Sequence, residues 1–137
     1  MRNIKIILDT NIWISFLITK NFNSLDKLID EGKVKLIFSE ELIEEFITVV
    51  KRPKFDKYFT NSDIIAIINL FNTYGKLVKV STNNTECRDL KDNFLLNLAI
   101  DSKADYLVTG DSDLLVINKI KKTKIITFKE LIKSINH

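Results

Sequence analysis

The chain has 137 residues, 45% of them hydrophobic and 28% charged, a balance that excludes a disordered chain, and no uncharged run approaches the roughly 20 apolar residues of a membrane-spanning helix. That length, with roughly 100 to 150 residues usual for one domain, predicts a single domain over residues 1–137. The lone cysteine, Cys87, excludes an internal disulfide and a multi-cysteine zinc site; the lone histidine, His137, argues against a nucleophile-histidine triad; and the net charge of +3 permits a nucleic-acid partner without demanding one.

The N-terminus runs directly into an apolar strand, Ile4 to Leu8, with no signal-type hydrophobic region, which predicts a cytoplasmic protein. The strand's nearly continuous aliphatic run is what burial on both faces requires. Helical periods follow at about Ile12 to Ile18 and Leu25 to Glu31. Lys35 to Phe38 reads as a second strand, and Ser39 as the N-cap of a helix from Glu40 to about Lys51 that Pro53 ends. Another helix spans about Ser62 to Tyr74, with Gly75 as its C-terminal stop, and Leu77 to Val80 reads as a third strand. A polar loop, Ser81 to Lys91, leads to a helix from about Asp92 to Ser102 and a strand from Tyr106 to Thr109. Gly110-Asp111-Ser112-Asp113 opens a short helix to about Ile117, and Ile125 to Thr127 is a last strand. Thr127 and Glu130 have the capping-box spacing that starts the C-terminal helix. Strands separated by helices predict right-handed crossovers and an α/β/α sandwich around a parallel sheet of about five strands.

In open α/β sheets, ligands bind beyond the carboxyl ends of the strands. The residues there are acidic. Asp9 follows the first strand, Asp111 follows the fourth by one glycine, Asp92 opens the preceding helix, and Glu45 lies about a turn and a half into the helix after the second strand. Carboxylates gathered without a balancing lysine or arginine repel one another unless a cation sits among them, and hard oxygen donors suit Mg²⁺ or Mn²⁺. Such ions acidify water and stabilise the leaving oxygen of a phosphodiester without any histidine. Each acid alone also reads as a helix cap or turn former. Glu44 and Glu45 flank the apolar stripe of their helix on opposite margins, and register does not choose between them. Several acids at one end of one sheet are more than capping demands.

The strand Ile6-Ile7-Leu8 with Asp9-Thr10-Asn11, the segment Ser39 to Phe55 with Glu45 and Arg52-Pro53-Lys54-Phe55, the stretch Arg88 to Asn93, and Ala104 to Leu115 together resemble a PIN domain. This is a family of metal-dependent nucleases that includes the VapC-type toxins of bacterial toxin-antitoxin systems. The resemblance covers nearly the whole chain. It implies that Asp9, Glu45, Asp92 and Asp111 form a metal-binding acidic quartet, with Asn11 and Thr109 in support. Asp113 is the reserve for the fourth acid and Asp89 a weaker one for the third. Leu90 stands where the subgroup often has proline, and Asn93 where a second aspartate is common. The resemblance further implies a ribonuclease leaving 5′-phosphate and 3′-hydroxyl ends, a homodimer, and an antitoxin that covers the site.

Lys51 to Phe59 interleaves basic and aromatic residues, which suits an RNA backbone and unpaired bases, and makes Arg52, Lys54 and Lys57 RNA-contact candidates. The competing reading is that Phe55, Tyr58 and Phe59 pack on the core or on a second subunit. Lys119 to Lys124 reads as a solvated turn, with RNA contact as its alternative, and Trp13 as core or interface. Ile64, Ile65, Ile67, Ile68 and Phe71 form an apolar stripe that is first of all core. Two other functions compete with the nuclease. A haloacid-dehalogenase-type phosphatase needs a second acid where Asn11 stands, and a silent PIN-like RNA-binding module gains nothing from concentrating negative charge where phosphate approaches.

Overall fold

The computed structural model describes residues 4–19, 33–80 and 93–135. The helix expected over 25–31 and the loop expected over 81–91 lie outside these residues. Strand β1 (Ile4–Leu8) leads to helix α1 (Thr10–Thr19); β2 (Val34–Phe38) leads to α2 (Glu40–Val50), a 3-10 turn (Pro53–Phe55), α3 (Asn61–Tyr74) and β3 (Gly75–Leu77). Helix α4 (Asn93–Ser102) precedes β4 (Tyr106–Val108), the short α5 (Ser112–Leu115), β5 (Lys119–Ile120), β6 (Thr123–Ile126) and α6 (Phe128–Ile135).

Among the described residues the sheet has six strands in the order β3-β2-β1-β4-β6-β5. All neighbouring pairs are parallel except β5 with β6. The expected parallel α/β sheet is therefore present, extended at one edge by β5, which lies in the segment read as a turn. Ile6, Ile7 and Leu8 are successive residues on alternating faces and are all 1% exposed or less, so helices cover both faces of the sheet's centre. Burial of each such side chain contributes roughly 1.5–3 kcal/mol relative to exposure. Phe46, Leu95, Leu96, Leu98, Leu107 and Leu114 complete the deepest part of the core.

Local chemistry sets most element ends. Ser39 Oγ accepts from the Leu42 N–H at 3.2 Å and caps α2. Two residues after α2, Arg52 is extended at φ −64°, ψ 143°, as a residue before proline prefers, and Pro53 restarts the chain as the 3-10 turn. Thr60 and Asp63 form a reciprocal box at the start of α3, with N–H···O distances of 2.9 and 3.1 Å. The Thr127 and Glu130 box expected for α6 is present at 3.1 and 3.2 Å. Gly75 is not a stop followed by a loop; it is the first residue of β3 and pairs with Leu36. Strand β3 ends at Leu77 because β2 ends at Phe38, whose carbonyl takes the last ladder bond from Val78 at 2.8 Å. No helix among the described residues is long and apolar enough to cross a membrane.

Candidate metal centre

The carboxyl ends of β1 and β4 lie side by side, with Leu8 paired to Val108. One residue further, Asp9 and Thr109 leave the sheet together. The Asp9 N–H donates to the Val108 carbonyl at 3.0 Å, and the Thr109 N–H donates to that of Ile126 at 3.0 Å. Both backbones thus remain anchored to the ladder while their side chains meet. The buried Thr109 hydroxyl donates to Asp9 Oδ2 at 2.7 Å and accepts from the Asp111 N–H at 3.0 Å. A single threonine oxygen joins two strand-end acids whose sequence positions are far apart.

The capping roles are also real. Asp111 Oδ1 accepts from the Asp113 N–H at 2.8 Å and caps α5, and Asp9 Oδ1 accepts a long 3.4 Å bond from the Asn11 N–H at the start of α1. Asp9 nonetheless differs from an ordinary cap. It is 7% exposed, and its pKa is raised by desolvation and by the negative charge of Asp111, against the lowering effect of its bonds from Thr109, Asn11 and Thr10. A buried carboxylate whose charged neighbour is another carboxylate is stabilised by a divalent cation, so the donor set fits one. Beside it, the buried Thr10 hydroxyl has no hydrogen-bond partner among the described residues, the kind of group that an ordered water or ion satisfies.

Glu45 sits on α2, which packs against both α1 and α4. Helical register left Glu44 and Glu45 level; the structure exposes Glu44 and half-buries Glu45. Asp92 and Asp89 lie outside the described residues. Among the described residues no three acidic, histidine or cysteine side chains are close enough to hold an ion by themselves. The geometry therefore brings together Asp9, Thr109 and Asp111, with Asp113 joined through its backbone. Asn11 is exposed and meets Asp9 through its N–H. Asn93, noted in the sequence only as a departure from the family pattern, is buried together with Asn97, which the sequence reading missed, one turn apart on the opening of α4. Two asparagines at helical spacing within an apolar run were the available signal.

The basic and aromatic segment divides. Phe59 is buried and Phe55 half-buried, with ring centroids 6.3 Å apart, so these two pack inward. Arg52, Lys54, Lys57 and Tyr58 are exposed; Lys54 Nζ lies 5.0 Å from the Phe55 ring centre and Lys57 Nζ 5.1 Å from that of Tyr58. Trp13 is core, 5.8 Å from the Phe38 ring.

A parallel α/β sheet with paired acids at its carboxyl rim agrees with the family to which the sequence points. The chain belongs to the PIN domain family, whose pattern it matches over residues 5–113. PIN domains are generally nucleases and typically use a divalent metal. The chain is 35% identical over 122 residues to an uncharacterized protein of Methanocaldococcus jannaschii, with 87% of this chain and 78% of that protein covered. Its fold is similar to a chain in the crystal structure of VapBC2 from Rickettsia felis bound to a DNA fragment from its promoter, with a TM-score of 0.57, 15% identity, and coverage of 89% of this chain and 97% of that one.

Proposed function

We propose that the protein is a Mg²⁺ or Mn²⁺ dependent endoribonuclease, folded as one PIN domain over residues 1–137, and the toxin of a toxin-antitoxin pair. The observation that carries the chemistry is the junction at Thr109, where one hydroxyl holds Asp9 Oδ2 and the Asp111 N–H at 2.7 and 3.0 Å. Family membership and the fold likeness to a VapBC2 chain support the class and the toxin reading.

In this reading Asp9, Glu45, Asp92 and Asp111 hold the ion. Asp9 and Asp111 contribute from the strand ends, Glu45 from α2 and Asp92 from the approach to α4. Thr109 fixes the Asp9 carboxylate, and Asn11 orients it through its N–H; Asp113 is the alternative to Asp111. When bound, a divalent cation acidifies water and neutralises the charge of the phosphodiester. The reaction forms a bond from the water oxygen to phosphorus and breaks the bond from phosphorus to O3′, which takes up a proton, leaving 5′-phosphate and 3′-hydroxyl ends. Arg52, Lys54 and Lys57 follow α2 and contact the RNA backbone. The functional form is a cytoplasmic homodimer, and an antitoxin covers the acids.

The test is cleavage of end-labelled mixed-sequence RNA with Mg²⁺, with Mn²⁺ and with EDTA. The expected result is ion-dependent cleavage that Asp9→Asn reduces at least about 100-fold, the scale of losing an electrostatic catalytic group. Cleavage unchanged by EDTA or by Asp9→Asn would end the proposal.

A further inference from the structure

The end of the sheet opposite the acids is rich in lysine, and the nuclease reading gives these residues no task. Lys33 precedes β2 and passes its carbonyl to the Ile4 N–H at 2.9 Å; the Lys5 carbonyl takes the Asp105 N–H at 2.9 Å, and the Asp105 carbonyl takes the Lys124 N–H at 3.1 Å. This row of bonds crosses four neighbouring strands, which at about 4.8 Å per step places Lys33 and the turn before β6 roughly 14 Å apart. Lys103 follows the last residue of α4, and Lys121 and Lys122 form the turn between β5 and β6. The buried Thr123 hydroxyl donates to the Ala104 carbonyl, so the two lysine-bearing turns are fixed against each other.

Lys33, Lys103, Lys121, Lys122 and Lys124 are all exposed. Lys103 and Lys121 have φ of 56° and 52°, the left-handed region that glycine fills more easily, so lysine stands at both turns where local conformation favours another residue. Among the described residues two acids accompany them. Asp105 is half-buried and its Oδ2 is engaged by the Lys5 N–H at 2.9 Å, and Asp101 is half-buried on α4. Among the described residues, none of the large exposed apolar side chains, Tyr58, Ile65, Leu77 and Val116, belongs to this edge, so these residues offer charge without a platform for stacking bases.

We infer that this edge binds the phosphate backbone of a double-stranded segment of RNA. Charge with no exposed aromatic among the described residues suits a duplex, whose bases are already stacked, better than a single strand. The choice of RNA rests on the nuclease reading above. The edge lies about 16 Å from the acids, the length of the five-residue β1, so an RNA that reaches both must extend past the scissile bond.

The test is fluorescence anisotropy with the whole chain in EDTA, so that no probe is cut. The probes are a blunt RNA duplex of about 16 base pairs, one strand of it, the DNA duplex of the same sequence, and polyglutamate. Lys103→Gln, Lys121→Gln and Lys122→Gln combined should weaken duplex RNA binding at least tenfold and flatten the slope of log affinity against log salt by about 2 to 3. Lys129→Gln, on α6, should change it less than twofold, and thermal melts should show both variants folded. An unchanged affinity and slope in a folded triple variant overturns the inference, as does equal or tighter binding of the single strand, the DNA or polyglutamate. Binding is read without cleavage, so failure here leaves the nuclease proposal standing, and a protein that cuts no RNA can still bind at this edge.

Discussion

Thr109 donates to Asp9 Oδ2 at 2.7 Å from a hydroxyl that is itself the acceptor for the Asp111 N–H. The threonine is fully buried, so neither bond is replaced by bulk water when it is lost. Thr109→Val keeps the shape and removes both. We expect a stability loss of about 1–3 kcal/mol, an Asp9 pKa raised further, and divalent-ion affinity or cleavage reduced roughly 10- to 100-fold. Thr109→Ser should restore most of each. Thermal melts and Mn²⁺ titrations read these effects, and a Thr109→Val protein with unchanged ion affinity would show that the junction is structural only.

Asp9 should make the ion-free protein pH sensitive in an unusual direction. Its folded pKa is raised above the ordinary 3.8, first by desolvation and also by Asp111. A carboxyl raised in the folded state contributes stability that is fully present below its unfolded pKa and lost as pH rises through the folded value. Asp9→Asn should therefore melt higher than the parent in EDTA at pH 7, by roughly 3 °C for each 1 kcal/mol in a chain of this size. The difference should shrink toward zero near pH 4. In saturating Mn²⁺ the order should reverse, because only the parent gains from the ion. A parent that melts above Asp9→Asn in EDTA at neutral pH contradicts the burial argument.

Asp111 and Asp113 are separated by what substitution to asparagine preserves. Asn caps helices about as well as Asp, so Asp111→Asn keeps the bond to the Asp113 N–H and removes only charge. We expect it to melt within about 2 °C of the parent while losing at least about 100-fold in ion-dependent cleavage. Asp113→Asn should stay within about threefold in rate, under 1 kcal/mol in barrier. The reverse pattern would move the fourth ligand to Asp113.

The acids at the ends of β1 and β4 were legible because a buried parallel strand is a continuous aliphatic run, and the residue after it must leave the sheet at the ligand-binding rim. Thr109 was legible by its place beside Asp111, but its bond to Asp9 depends on which strands are neighbours, which no local pattern specifies. Register left Glu44 and Glu45 open for the same reason: both flank one stripe, and only the packing of α2 against α1 and α4 buries one more than the other. Strand β5 was hidden because two residues cannot show alternation, and its turn uses Lys121 at positive φ instead of a glycine that would have signalled a hairpin. Helix α1 begins at Thr10, earlier than the apolar period, because the Asp9 carbonyl already accepts from the Ile12 and Trp13 N–H groups.

Gly110 separates the need for space from the need for a flexible backbone. A Cβ at this exposed position would meet nothing within 4 Å, and its φ is not in the left-handed region. Gly110→Ala should therefore melt at least as high as the parent, with a gain of about 0.4–1 kcal/mol from the restricted unfolded chain. If a phosphodiester approaches between Thr109 and Asp111, the same methyl group should raise KM severalfold with ion affinity unchanged. Unaltered kinetics would place the substrate elsewhere on the rim.

The segment after α2 predicts a split between binding and chemistry. Phe55 and Phe59 turn inward and fix the 3-10 turn, whereas Arg52, Lys54, Lys57 and Tyr58 remain on its surface. Lys54→Gln with Lys57→Gln should raise KM for RNA about tenfold, lower the salt dependence of KM, and leave kcat within twofold, because in the proposed role these cations contact the backbone and not the reacting phosphate. Tyr58, 44% exposed, can stack one base; Tyr58→Ser should cost about 1–3 kcal/mol in binding single-stranded RNA. Phe59→Ala, in contrast, removes a buried ring and should cost about 3–5 kcal/mol of stability. A loss of kcat in the lysine variant with KM unchanged would mean that these cations serve the acids directly, and RNA anchoring would have to be sought on another surface.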